Sequence, residues 1–174
     1  MDRLCVKNRD MDDLLNAIGD SAIGRLMAES PTAFPWVESA HVVAIVTVIG
    51  VIAIVDLRLL GVAGRDYAIS RLTKALLPTT WIAFALAALT GALLFTSQPA
   101  TYFANTAFRL KLALLLAAGL NMALFHVITM RGIAFWDRDA PVPPAARIAG
   151  ALSLLIWVLI VGCGRWVGFT TAPF

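Results

Sequence analysis

Four stretches of this chain, each roughly 20 residues long and nearly free of charge, leave it few places to fold other than a lipid bilayer. They run from about Trp36 to Leu60, Ala75 to Phe95, Phe108 to Met130 and Ile148 to Val167. A helix rises about 1.5 Å per residue and needs about 20 apolar residues to cross a hydrocarbon core. Windows this long and unbroken do not suit barrel strands, and a helix satisfies its backbone polar groups internally in lipid. Of the 174 residues, 60% are hydrophobic and 14% charged, against about 45–50% and about 25% in an ordinary soluble domain. One core of this size cannot hide that surplus.

The expected fold is therefore all-α: an integral membrane four-helix bundle. Short connections between the spans favour antiparallel neighbours and an up-down-up-down order. Pro78 is expected in the first turn of the second span, where proline costs least. Residues 1–35 form a separate N-terminal segment, and residues 36–174 the transmembrane domain. The run MDRLCVKNRDMDD carries charge throughout and lacks the apolar stretch of a signal peptide. After it, Asp10 is expected to cap a helix in which Met11, Leu14, Leu15, Ile18, Ala22 and Leu26 recur at helical spacing. That pattern fits an amphipathic helix on the membrane surface or one packed on the protein's own loops. Ser30 and Pro31 end it, and Pro35 and Trp36 turn the chain into the bilayer.

The net charge of +3 is dispersed, so no stripe for nucleic acid forms and none is expected as a partner. The basic residues instead mark loops and helix ends. Arg58, Arg65, Arg71, Lys74, Arg131, Arg138 and Arg147 fall on one face, and Arg25, Arg109, Lys111 and Arg165 on the other. The imbalance places both termini in the periplasm of a bacterial inner membrane, although Arg3, Lys7 and Arg9 in the tail offset it. Cys5 and Cys163 are too far apart in sequence to suggest a disulfide framework or zinc site.

The two histidines, His41 and His126, both fall inside spans. Ionisable groups are expensive there and so point to function, and imidazole is a common ligand for haem iron and for metals. The ordinary alternative is a hydrogen bond to a neighbouring helix. His41 lies near the start of the first span and His126 near the end of the third. These spans run in the same direction, so the rings are about 20 Å apart along the membrane normal and one iron cannot take both. Two b-type haem sites at two levels, or copper near Glu38 and His41, are the candidate cofactors. Arg109, Lys111 and Arg165, with Trp36, Tyr102 and Trp166, share the level of His41. Arg58, Lys74, Arg131 and Arg147 share that of His126. Such cations pair with haem propionates, although snorkelling to the interface is their ordinary role. The later three spans hold no Asp or Glu, which excludes the four-carboxylate di-iron pattern. Asp56 and Arg58 are expected to form an ion pair at the end of the first span. Asn121 should bond a neighbouring helix, Trp157 should pack, and Gly162, Gly164 and Gly168 allow close approach in an oligomer.

The segments FPWVESAH (34–41) and DLRLLG (56–61), with FRLK (108–111) and NMALFH (121–126), resemble an uncharacterised family of small bacterial four-span membrane proteins. That family is loosely similar to the copper-resistance protein D group and to b-type cytochrome bundles. The resemblance covers roughly residues 12–137 and marks Glu38, His41, Asp56, Arg58, Arg109, Lys111, Asn121 and His126. It implies a haem or metal protein of the inner membrane working with a redox protein or quinone partner. Bis-histidine cytochromes pair two histidines at one depth, and this chain offers no such pair. A second axial ligand would come from another subunit, from water, or from nothing.

Overall fold

The computed structural model describes residues 2–137 and 141–171; the side chains of Arg3, Cys5 and Lys7, and all of Arg138, lie outside that description. The described chain is helical. In order come α1 (Asp2–Gly19), α2 (Ala22–Glu29), α3 (Ala33–Leu60), α4 (Ile69–Ser97), α5 (Pro99–Ala104), α6 (Thr106–Leu124) and α7 (Pro144–Thr171), with a π turn (Phe125–Thr129) and a 3-10 turn (Met130–Phe135) continuing α6. Four of these segments are long and apolar enough to span a membrane: Ala33–Leu60, Ile69–Ser97, Thr106–Ile133 and Pro144–Thr170. Their outward side chains, among them Val43, Ile82, Leu116 and Val158, are exposed, as lipid-facing residues must be in a bundle this thin. The protein is a multi-pass membrane protein whose apolar helices contact the bilayer.

The main helix contacts are α3 with α4, α6 with α7, and α3 with α7. The backbones of α4 and α6 do not pack closely among the described residues, so the bundle follows the order α4–α3–α7–α6, with side chains such as Phe95 and Phe108 meeting between α4 and α6. Val48, Ala83, Ile156, Trp157 and Ile160 are buried together at mid-bundle, with Leu114, Leu115 and Ala118 of α6 packed against them. Trp157 is thus a packing residue, at 8% exposure. A second buried cluster, Leu59, Ile69, Phe125, Trp136 and Ala146, closes the face opposite the termini.

The N-terminal segment differs from its expected form. Asp10 lies inside α1 and caps nothing, and the helix breaks at Asp20 and Ser21. Ser21 caps α2 instead: its hydroxyl donates to the Ile18 carbonyl (2.7 Å) and accepts from the Gly24 amide (3.0 Å). The turn is tight enough that a Cβ at Gly24 would clash with the Gly19 carbonyl oxygen. α2 packs on α4, and α1 on α5, so these helices rest on the protein. Leu15 and Met27 are buried against it, while Leu14, Ile23 and Leu26 remain more than half exposed, on a side open to lipid.

The spans also begin and end differently from their apolar windows. α3 starts at Ala33, so Pro35 falls in its first turn rather than before it. α4 starts at Ile69, six residues before the apolar window, and Pro78 is therefore interior. The cause lies 67 residues away. The Asp137 carboxylate accepts from the Ser70 amide (2.7 Å) and hydroxyl (2.5 Å), and its carbonyl accepts from the Ile69 amide (3.2 Å). This distant cap satisfies the first orphan amides of α4 and lets a polar turn become helix. Gly61 ends α3 in the left-handed conformation, with φ of 72°.

Burial pushes the Asp137 carboxyl upward, but the Ser70 hydroxyl and amide, the Ile69 amide and the Arg58 charge together hold it below the usual carboxylate range. A depressed value in the folded state stabilises the protein above the normal carboxylate pKa and loses that effect as pH falls through the depressed value. The thermal midpoint in detergent should therefore separate wild type from Asp137→Asn at neutral pH. The two should converge in strong acid. A gap that widens on acidification contradicts this lock.

Candidate functional site

His41, Thr90, Lys111 and Gly164 come from all four spanning helices and lie at one level. Counted along each helix, they stand five to eight residues in from the face that carries the termini. The His41 ring Nδ1 is 2.9 Å from the Thr90 hydroxyl. That hydroxyl has one hydrogen, and it is directed to the Leu86 carbonyl at 2.7 Å, with the Ala87 carbonyl at 3.2 Å. Thr90 therefore accepts from His41, and Nδ1 carries the ring proton. The ring also bonds the Ala87 carbonyl of α4.

Gly91 makes this geometry possible. A Cβ there would stand 2.9 Å from His41 Cε1, so glycine lets the ring lie where it does between α3 and α4, and a larger residue would displace it. Across the bundle, the Lys111 ammonium is 3.6 Å from where a Cβ on Gly164 would be. Its charge acts on His41. No carboxylate pairs with Lys111 among the described residues.

The other residues expected at this level are not gathered in. Glu38 is exposed and has no partner among the described residues. Arg109 is exposed and reaches only the Thr106 hydroxyl, at 3.4 Å. Arg165 is also exposed and stacks 4.3 Å over the Phe169 ring. Trp36 and Trp166 are 75% and 64% exposed, as interfacial belt residues are. Tyr102 packs with Phe95 and Phe108, whose rings stack at 5.5 Å. This cluster anchors α5 over the ends of α4 and α6. Asn105 caps α6, accepting from the Ala107 and Phe108 amides, and donates to Thr170 at 2.8 Å.

His126 lies in the π turn. Its Nδ1 is 2.9 Å from the Met122 carbonyl, which can only accept, so Nδ1 carries a proton. The Phe125 ring meets the imidazole edge-on at 5.5 Å. The wide turn, a form common at functional sites, rotates His126 out of the register a regular helix would give it. Arg131, Lys74 and Arg147 are exposed near this face.

Arg58 is 4% exposed. Its Nε donates to the Tyr67 carbonyl at 2.9 Å, and its charge acts on Asp137. The expected Asp56–Arg58 ion pair is absent among the described residues. Side chains two apart on a helix point to different sides, so Asp56 turns instead toward Ser153 of α7. Asn121 donates to the Ala149 carbonyl at 3.0 Å, as its mid-span position predicts. Gly164 faces Lys111, whereas Gly162 and Gly168 have open space beside them.

The described residues contain no group of three or more His, Cys, Asp or Glu side chains able to hold a metal ion together. A family model matches residues 21–170, nearly the whole chain. The protein belongs to DUF6644, a family of unknown function. The match extends beyond the 12–137 stretch that carried the resemblance and includes all of α6 and most of α7. No curated protein and no solved structure matches the chain. Sequence reasoning missed Thr90 and Gly91, although a Thr-Gly pair in an apolar helix at the depth of His41 is a readable signal. It also missed Ser70, Asp137 and Ser153, whose roles depend on distant partners.

Proposed function

We propose that this member of the family is a membrane-embedded b-type haem protein for electron transfer, with His41 and His126 as axial ligands at two levels. One observation carries this reading: each ring has its Nδ1 held at 2.9 Å, by the Thr90 hydroxyl in His41 and by the Met122 carbonyl in His126. A ligating histidine is oriented in this way, its second nitrogen donating to a carbonyl or hydroxyl that fixes the tautomer and raises its basicity. A histidine serving only as a bridge between helices has no need for such an arrangement at both positions.

The donor set fits the group. His41 would supply Nε2 near the terminal face, with Lys111 to pair with a propionate. His126 would supply Nε2 near the opposite face, where Arg131 and Arg147 are free to do the same. Bound haem supplies one-electron chemistry; the chain's own work is to orient the imidazoles, exclude water with its apolar helices and neutralise the carboxylates. Two levels suit transfer between partners on the two sides of a bacterial inner membrane, a redox protein or a quinone among them. The excess of exposed Arg65, Arg71, Lys74, Arg131 and Arg147 on the face away from the termini favours that face as cytoplasmic.

Protein purified from haem-replete cells should show a b-type band in its reduced-minus-oxidised spectrum. His41→Ala and His126→Ala should each remove part of it, and the double variant all of it. A colourless wild-type protein under these conditions sinks the proposal.

A further inference from the structure

Among the described residues, Asp56 is the buried acid of the spans, and no cation pairs with its carboxyl group. Asp56 is 5% exposed and lies four residues, about 6 Å, from the end of α3. The helices α3 and α7 meet closely there: a Cβ on Gly150 would be 3.2 Å from both the Asp56 carbonyl oxygen and Leu59 Cβ. Oδ2 of Asp56 has no hydrogen-bond partner among the described residues, while the Ser153 hydroxyl of α7 bonds the carboxyl group.

The charged groups on every element packed against α3 point elsewhere. Arg58 is committed to Tyr67 and Asp137. Arg71 and Lys74 of α4, Arg147 of α7, and Arg25 and Glu29 of α2 are exposed. An ionised carboxylate buried without a counter-charge would be far more costly than a neutral acid. A buried carboxyl oxygen with no donor aimed at it lacks the hydrogen bonds that an ionised carboxylate needs to hold its charge away from water. A serine or asparagine could bond Ser153 equally well, and neither could release a proton.

We propose that Asp56 is a proton-binding site inside the membrane, a carboxylic acid at the α3–α7 contact that exchanges its proton with water at the nearby face. In each exchange the Asp56 O–H bond breaks, the proton passes to water, and uptake reverses the step; no electron moves. The site does not depend on haem being bound.

Infrared spectroscopy of the full chain in detergent at neutral pH tests this. Wild type should show a protonated-carboxyl C=O band that shifts in D2O and is lost in Asp56→Asn. The isosteric variant should keep the wild-type thermal midpoint, because no charge has been removed. Ser153→Ala should fold and move the band, which keeps the test open if Asp56→Asn fails to accumulate. Absence of the band in wild type overturns the proposal, as does a band indifferent to D2O. A band abolished by adding sodium chloride also overturns it, in favour of a cation site.

Discussion

Trp136→Ala should lower the stability of the protein by about 3–5 kcal/mol, the usual cost of removing a large aromatic from a packed interior. Trp136 is 6% exposed and lies beyond the last residue of the third span, Ile133. Within the bilayer, burying apolar surface against other helices gains little, because lipid is equally apolar. At the edge of the spans the alternative to burial is water, and the hydrophobic effect returns in full. Leu59, Ile69, Phe125 and Ala146 surround the indole, so its loss loosens the ends of α3 and α4, the π turn and the start of α7 together. Its chain neighbour Asp137 caps α4, and that cap should weaken too. Thermal unfolding in detergent, followed by circular dichroism, measures the effect. A midpoint equal to wild type would show that this cluster does not hold the face together.

The second large effect is expected at Gly91. In Gly91→Val the new Cβ stands 2.9 Å from His41 Cε1, and the two γ-methyls extend farther into the ring's place. The imidazole must leave and its bond to Thr90 must break. The variant should lose the same part of the haem spectrum as His41→Ala, with helix content retained. Gly119→Val is the matched control, because nothing lies within 4 Å of a Cβ at that position. It should leave the spectrum unchanged. A Gly91→Val protein with the complete spectrum would mean that the Thr90-bonded ring is not the ligand.

The four spans were legible because hydrocarbon thickness sets a length that apolar runs must meet. Their ends were less so. Nothing near Ile69 announces a helix start, since the group that caps it is Asp137, brought there by the turns after α6. Asp20 and Ser21 divide the N-terminal helix through a local cap, a signal present in the residues but weaker than the surrounding periodicity. The π turn at His126 has no sequence pattern of its own. At the site, the depth of the two histidines could be counted from the chain. Which of the neighbouring cations turns inward could not. Arg109 and Lys111 are two apart and so leave α6 on different sides, and only packing against α7 decides that Lys111 faces the bundle. The same spacing rule, applied to Asp56 and Arg58, argues against their ion pair without any structure.

The account depends on which nitrogen of each imidazole carries the proton, and nitrogen-15 NMR of the histidine-labelled, haem-free protein reads this directly. Both rings should show a protonated Nδ1 and a bare, pyridine-type Nε2 at neutral pH. A proton found on Nε2 of either ring, with Nδ1 bare, would contradict the hydrogen bonds to Thr90 or Met122 and remove the ligand geometry they support.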